Sequence, residues 1–228
     1  MKIGGGIVNT KILVIPDTHF PFEHKNFFKD LSKILINFKP THIVHMGDMW
    51  DMHTISRHDP DPDAPDIKSE LQLAKERVVK LTSMLKDYKR VYVCVGNHDN
   101  RIEKRAACHG IPKAFLVTWR EMLELPKHWL VGDEHQIGDI AFLHGKSNLR
   151  GKTAMAYGCN VVMGHFHSML EVTYLQTPRQ LLWSVFAGGA VDDKSMGMAY
   201  GANNLAKSAY GFVLIENGIP RIVPGTRA

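Results

Sequence analysis

The chain is 228 residues long, carries a formal net charge of +5, and is 44% hydrophobic and 22% charged. This composition is ordinary for a globular protein and argues against a disordered chain, and no apolar run approaches the roughly 18 residues that a membrane span needs. The three cysteines form no CxxC pair and the N-terminus has no apolar core for a signal peptide. We therefore expect a reducing, cytoplasmic setting without a disulfide framework.

The first half of the chain predicts alternating strands and helices. Short apolar runs indicate buried strands at 12–16, 42–46 and 91–95. Apolar positions at helical spacing predict helices over 25–38 and 69–87, with Ser69 as a candidate cap of the second helix. The stretch 53–66 is rich in proline and aspartate, which indicates a loop. Strand, helix, strand, helix, strand is the pattern of a parallel α/β sheet.

The second half of the chain predicts more sheet. After a candidate helix at 113–124, strands are expected at 139–144, 160–164, 171–175, 181–187, 210–216 and 221–223. No repeat or linker divides the chain, so we predict one α/β domain over 1–228, with two sheets packed face to face and helices outside. The region 188–209 is rich in small residues and poorly patterned, which leaves open a loop beside the site or a partner contact.

Polar side chains gather where five of the predicted strands end. In chain order they are Asp17 and His19, then Asp48 and Asp51, then Asn97, His98 and Asp99, then His144, and last His165 and His167. In open α/β sheets, the loops at the carboxyl ends of the strands hold the ligand site. Carboxylate, imidazole and amide groups delivered to one crevice predict a metal site, and this mixture suits Mn, Fe, Zn or Ni better than Ca or Mg.

The order of these motifs resembles that of the calcineurin-like metallophosphoesterases. The shared motifs are D-x-H from Asp17, GD-x-x-D from Gly47, GNHD from Gly96, the lone His144 and GH-x-H from Gly164. The family fold is a four-layer double β-sandwich flanked by helices, which agrees with the α/β prediction. Residues 17–22 and the loop Ile55-Ser56-Arg57 look like the small phosphoesterases of phage and prophage genomes. The motif sequences GDMWD, GNHD and GHFH are also similar to those of nucleases of double-strand-break repair and of phosphodiesterases.

The resemblance implies a dinuclear metal centre. One ion would be held by Asp17, His19 and His167, and the other by Asn97, His144 and His165. Asp48 would bridge the two ions with its carboxylate. His98 would lie beside the ions as the catalytic histidine, and Asp51 and Asp99 match positions where a carboxylate orients an imidazole or a ligand. The expected cofactors are two divalent ions, manganese first, with iron, zinc or nickel as alternatives.

The implied reaction is the hydrolysis of a phosphate ester. A hydroxide that bridges the ions would attack phosphorus, while His98 donates a proton to the leaving oxygen. Protein phosphatases of this superfamily carry an arginine directly after GD-x-x-D, where this chain has Met52 and His53. We therefore favour phosphodiester, nucleic-acid or nucleotide substrates. The alternatives are a broad phosphomonoesterase, including a phosphoprotein phosphatase, and a non-catalytic scaffold of the same fold.

Two basic segments, 100–120 and 145–152, follow directly after His98 and His144. They form a candidate rim for a polyanion such as nucleic acid. Arg101 is the first candidate for a contact with the substrate phosphate and Arg57 is the second, and a surface salt bridge is the alternative for both. The sequence leaves the oligomeric state open.

Overall fold

The computed structural model describes residues 9–56, 63–195 and 207–226. In these ranges the strands are β1 (Lys11–Ile15), β2 (His42–His45), β3 (Val91–Cys94), β4 (Leu130–Gly132), β5 (Glu134–Ile137), β6 (Ile140–Leu143), β7 (Asn160–Met163), β8 (Leu170–Gln176), β9 (Leu181–Ala187), β10 (Gly211–Glu216) and β11 (Ile219–Pro224). The α-helices of the same ranges are α1 (Phe27–Phe38), α2 (Ile67–Leu85), α3 (Arg101–Cys108), α4 (Trp119–Met122) and α5 (Lys152–Tyr157). No helix in the described ranges has the length and apolar character that crossing a membrane requires.

The described strands form two mixed sheets. The first sheet has six strands in the order β11-β10-β1-β2-β3-β4, and the second has five in the order β5-β6-β7-β9-β8. In the first sheet, β1 to β4 run parallel, with Ile12 opposite His42 and Ile43 opposite Val91. In the second, β6, β7 and β9 run parallel, and the outer strands β5 and β8 are antiparallel to their neighbours. The parallel strands of each sheet therefore end together at one edge of that sheet.

Successive side chains of a strand point to opposite faces of its sheet, so the buried core is divided into layers. Leu13 and Ile15 of β1 belong to the buried cluster that includes the inner faces of α1 and α2. Ile12 and Val14 of the same strand belong to a second cluster, which includes Phe142 of the second sheet and fills the space between the sheets. A third cluster joins the outer face of the second sheet to α5. The order of helices, sheet, sheet and helix confirms the predicted four-layer double β-sandwich.

The connection between β3 and β6 departs from the prediction. The helix expected at 113–124 is instead a 3-10 turn, Lys113–Phe115, followed by α4. The two are separated because Thr118 has an extended backbone and caps α4 in a reciprocal pair with Glu121. The sequence pattern also missed α3, β4 and β5, whose side chains are mostly exposed or half-buried.

The N-terminus of α2 also differs from the prediction. Asp66 has an extended backbone and accepts hydrogen bonds from the backbone N–H groups of Lys68 and Ser69, each at 2.9 Å. The prediction of Ser69 as the cap is wrong, because Ser69 lies in the first turn and its hydroxyl donates to Asp66 at 3.1 Å. Aspartate caps a helix as well as serine does. The earlier start places Glu70 in the first turn, on the buried face of the helix.

Candidate metal centre

The predicted site residues converge where the parallel strands of both sheets end. The first sheet carries Asp17 and His19 after β1, Asp48 and Asp51 after β2, and Asn97, His98 and Asp99 after β3; the second carries His144 after β6, and His165 and His167 after β7. Three of them have a left-handed backbone, with φ of 48° at His19, 45° at Asp48 and 68° at His165. Strained backbone at non-glycine residues tends to occur at functional sites, where neighbouring structure holds it in place.

One group of ligand atoms combines three residues of the first sheet with one of the second. Single ligand atoms of Asp17, His19, Asp48 and His167 lie within 4.8 Å of one another. The Nε2 atoms of His19 and His167 are 3.1 Å apart, and His167 Nε2 is 3.2 Å from Asp17 Oδ2. This group contains the three residues predicted for the first ion, together with the predicted bridge.

A second group lies beside the first and shares Asp48 with it. Ligand atoms of Asp48, His144 and His165 also lie within 4.8 Å of one another. His144 Nε2 is 3.2 Å from Asp48 Oδ2 and 3.0 Å from Asn97 Oδ1, so the amide oxygen faces the same point. Asp48 Oδ2 is also 3.7 Å from His19 Nε2. One carboxylate oxygen therefore faces both groups of ligands.

The donors fit divalent metal ions on three observations. Among the described residues, Asp17 Oδ1 is a buried carboxylate oxygen without a hydrogen-bond partner. The Nε2 atoms of His19 and His167 lie 3.1 Å apart, so two imidazole nitrogens point at the same place, as two ligands of one ion do. Burial lowers the pKa of His144, but the carboxylates of Asp48 and Asp17 outweigh it and raise that pKa to about 10, so the site attracts positive charge. Carboxylate, imidazole and amide donors together suit borderline transition metals.

Asp51 orients two of the histidines. Its Oδ1 lies 2.7 Å from His19 Nδ1, and burial together with the nearby His98 lowers the pKa of His19 to about 4. His19 therefore keeps its proton on Nδ1, donates it to Asp51, and presents the Nε2 lone pair to the metal site. His98 Nδ1 lies 2.8 Å from the backbone carbonyl of Asp51, to which it donates, and 3.2 Å from Oδ1. The Nε2 atom of His98 then points towards Asp48 Oδ2, at 3.8 Å.

Asp99 contacts backbone rather than imidazole. Its buried carboxylate accepts hydrogen bonds from the backbone N–H groups of Asp48, Met49 and Gly96, at 3.0, 3.0 and 2.8 Å. It thereby ties the loop after β2 to the loop after β3. Gly96 permits this close approach, because a Cβ at that position would collide with the backbone and carboxylate of Asp48. In turn the backbone N–H of His98 donates to Asp48 Oδ1 at 2.7 Å, which leaves Oδ2 for the ligand groups.

The described ends of the region 188–209 lie beside the site. The backbone N–H of Ala190 donates to the carbonyl of Asp17, and that of Ala209 donates to the carbonyl of His167, both at 2.8 Å. The two ends therefore hold the backbone of two candidate ligand residues in place. Residues 196–206 lie outside the described residues.

The structure describes one of the two arginines that are predicted to contact phosphate. Arg101 is half-buried, donates from Nη1 to the backbone carbonyls of Asp51 at 2.7 Å and Met52 at 3.0 Å, and places Nη2 2.8 Å from His98 Nε2. Its guanidinium group therefore lies at the edge of the site, held by backbone carbonyls rather than by a carboxylate. Arg57 lies outside the described residues.

Glu70 supports the site and was missed by the sequence analysis. Its buried Oε1 accepts hydrogen bonds from Trp50 Nε1 at 2.8 Å and from the backbone N–H of His53 at 3.2 Å. It thereby fastens the loop after β2 to α2. The signal was present in the sequence, because Glu70 is a charged residue in register with the apolar face that includes Ala74 and Val78.

Comparison with known proteins identifies the family of this chain. Residues 10–212 match the calcineurin-like phosphoesterases, and the chain belongs to that family. The Gene 54 protein of Mycobacterium phage D29 is 24% identical over 243 aligned residues, which cover 95% of this chain and 94% of that protein. Among solved structures, the phosphoesterase Yfce from E. coli is similar, with a TM-score of 0.50 and 14% identity over 95% of this chain and 98% of its own. Vacuolar Protein Sorting 29 from Cryptosporidium Parvum is also similar, with a TM-score of 0.45 and 15% identity over 95% and 96% of the two chains.

Glu70 makes the stability of the protein depend on pH. Burial, assisted by the charge of Asp51, raises the pKa of Glu70 to about 7, so the fold favours its protonated form. This contribution to stability is full below the ordinary glutamate pKa and is lost as the pH rises through about 7. In thermal unfolding, we expect the Tm of Glu70→Gln minus the Tm of wild type to increase by several degrees as the pH is raised from about 5 to about 9. The exposed Glu76→Gln on the same helix is the control, and an unchanged Tm difference across pH for Glu70→Gln would contradict the assignment.

Proposed function

We propose that this protein is a dinuclear metal-dependent phosphoesterase that hydrolyses phosphodiesters of nucleic acids or nucleotides. The observation that carries the proposal is that two groups of metal-type donors share one oxygen, Asp48 Oδ2. Asp17, His19 and His167 would hold one ion, Asn97, His144 and His165 the other, and Asp48 would bridge them. Manganese is our first choice for both ions, with iron, zinc or nickel as alternatives. Free thiols at all three cysteines are consistent with a reducing, cytoplasmic setting.

The bound ions would neutralise charge on the phosphate oxygens and activate the attacking water. The protein's own part begins with the ligand geometry, because His98 N–H and Asp99 hold Asp48 in place, and Asp51 fixes the tautomer of His19. These contacts orient the donors before substrate binds. The phosphate then lies between the ligand groups and the ring of His98.

His98 is suited to donate a proton to the leaving oxygen from Nε2. Burial alone would lower its pKa, but the carboxylates of Asp48 and Asp51 raise that pKa above its usual value. The charge of the neighbouring Arg101 opposes this rise in the pKa. Nδ1 donates to the carbonyl of Asp51, so Nε2 is the atom that exchanges the proton. In this structure Nε2 accepts a hydrogen bond from Arg101 Nη2 at 2.8 Å, so Arg101 must move aside when Nε2 carries the proton.

The substrate assignment is tested by a matched pair of aryl esters. With manganese added, we expect the protein to hydrolyse bis-p-nitrophenyl phosphate faster than p-nitrophenyl phosphate, and a chelator to abolish both rates. A preference for the monoester would instead favour the broad phosphomonoesterase. No rate on any phosphate ester and no bound transition metal would contradict the proposal and favour the non-catalytic scaffold.

Replacement of His98 separates proton donation from metal binding. We expect His98→Ala to lower kcat by about 10²–10⁴-fold while metal content, measured by elemental analysis, stays unchanged. The loss is expected to be smaller for a p-nitrophenyl leaving group than for a nucleoside leaving group, because the former needs less protonation as it departs. His128→Ala, an exposed histidine, serves as the control. Equal losses for the two leaving groups would show that His98 positions the phosphate and is not the proton donor.

A further inference from the structure

The structure sorts the cations of the basic segment 100–120 into two sets. Lys113 forms an ion pair with Glu103 at 2.8 Å, so these two charges cancel. Arg120 donates from Nη2 to the backbone carbonyls of three residues between α4 and β4. Neither of these two cations lies on α3. The remaining three, Arg101, Lys104 and Arg105, belong to α3.

The three α3 cations line one cavity, which we call the α3 cavity. It has a volume of about 340 Å³, and its wall includes Asn97, Arg101, Lys104, Arg105 and Cys108. Asn97 also faces the second group of metal donors, through His144. The α3 cavity therefore begins at the metal centre and extends away from it along the helix. Its volume lies within the roughly 300–1,000 Å³ of sites for small ligands.

Backbone carbonyls, rather than carboxylates, hold the arginine side chains of the α3 cavity in the described part of the chain. Arg101, Lys104 and Arg105 are spaced three and four residues apart, so they share one face of α3, where like charges destabilise a helix. The guanidinium of Arg105 donates to the backbone carbonyls of Ile55, at 3.1 Å, and Ser56. Carbonyl groups hold the arginine side chains in place without cancelling their charge. Among the described residues, none of the three cations forms an ion pair with a carboxylate.

We propose that the α3 cavity binds a second phosphate of the substrate, next to the phosphate at the metal centre. This assignment rests on the proposed function for the first phosphate and narrows it. The substrate is then a chain of phosphodiesters such as an oligonucleotide, rather than an isolated ester. Lys104, whose ammonium is exposed, and Arg105, whose guanidinium is held by the turn after β2, bind this phosphate. Arg101 lies between the two phosphates, against His98.

The first test is equilibrium binding of a fluorescent oligothymidylate without added metal, so that no ester is cleaved. Lys104→Glu is expected to weaken binding about tenfold. It is also expected to make the plot of log association constant against log salt concentration less steep by about 0.7. This is the contribution of one phosphate contact with a single strand. Lys89→Glu makes the same charge change near the amino end of β3, away from the site, and is expected to leave both quantities at their wild-type values. An affinity and a slope for Lys104→Glu equal to those of Lys89→Glu would overturn the proposal.

Cys108 supplies a second test that needs no activity. It is exposed and lies in the wall of the α3 cavity, whereas Cys94 is buried. We expect oligothymidylate to slow the alkylation of Cys108 by iodoacetamide, and unphosphorylated thymidine to leave the rate unchanged, as measured by peptide mass spectrometry. Cys159, which is outside the cavity, is the internal reference. Equal protection of the two cysteines, or none at Cys108, would count against a phosphate site here.

Turnover of the manganese-loaded enzyme separates this proposal from the proposed function. Lys104→Glu is expected to lower the ratio of kcat/KM for oligothymidylate to that for bis-p-nitrophenyl phosphate about tenfold, through KM. Hydrolysis without protection of Cys108 would reject the phosphate site in the α3 cavity but would not contradict the proposed function. Protection of Cys108 without hydrolysis of any ester would support the cavity and reject the proposed function.

Discussion

The buried carboxylate of Asp48 is the interaction on which the site depends. Its Oδ2 lies 3.2, 3.7 and 3.8 Å from the Nε2 atoms of His144, His19 and His98. A buried charge is costly unless positive charge and hydrogen bonds compensate it. Hydrogen bonds supply part of this compensation: the backbone N–H of His98 fixes Oδ1, and Asp99 holds the backbone of Asp48. The rest must come from cations, whether protons on the imidazoles or metal ions between the donors.

This arrangement requires both sheets to be in place. Asp48 and His19 follow strands of the first sheet, whereas His144 and His167 follow strands of the second. The ligands therefore meet only when the apolar cluster between the sheets has formed, with Ile12 and Val14 on one side and Phe142 on the other. Metal binding is thermodynamically coupled to folding in such a case, because the ligand set does not exist in the unfolded chain.

Much of this could be predicted from the sequence, for identifiable reasons. The buried strands appear as apolar runs, and a polar cluster at the end of such a strand is a strong local signal, so Asp17, Asp48 and His144 were found. Structure that depends on polar contacts could not be predicted in this way. The helix α3 is short and buries only Ala106 of its eight residues. Glu70 was not singled out, although it is in register with the apolar face of α2, because a charged residue at such a position is read as exposed. The contacts of Arg101 with the carbonyls after β2 join residues about 50 positions apart, which no local pattern encodes.

Anomalous diffraction can show whether Asp48 bridges two metal ions. A crystal of the protein soaked in manganese would be measured at a wavelength where manganese scatters anomalously. If Asp48 is the bridge, two peaks will appear, one on each side of Asp48 Oδ2: the first among Asp17, His19 and His167, the second among Asn97, His144 and His165. A single peak away from Asp48, or two peaks that share no ligand, would contradict it.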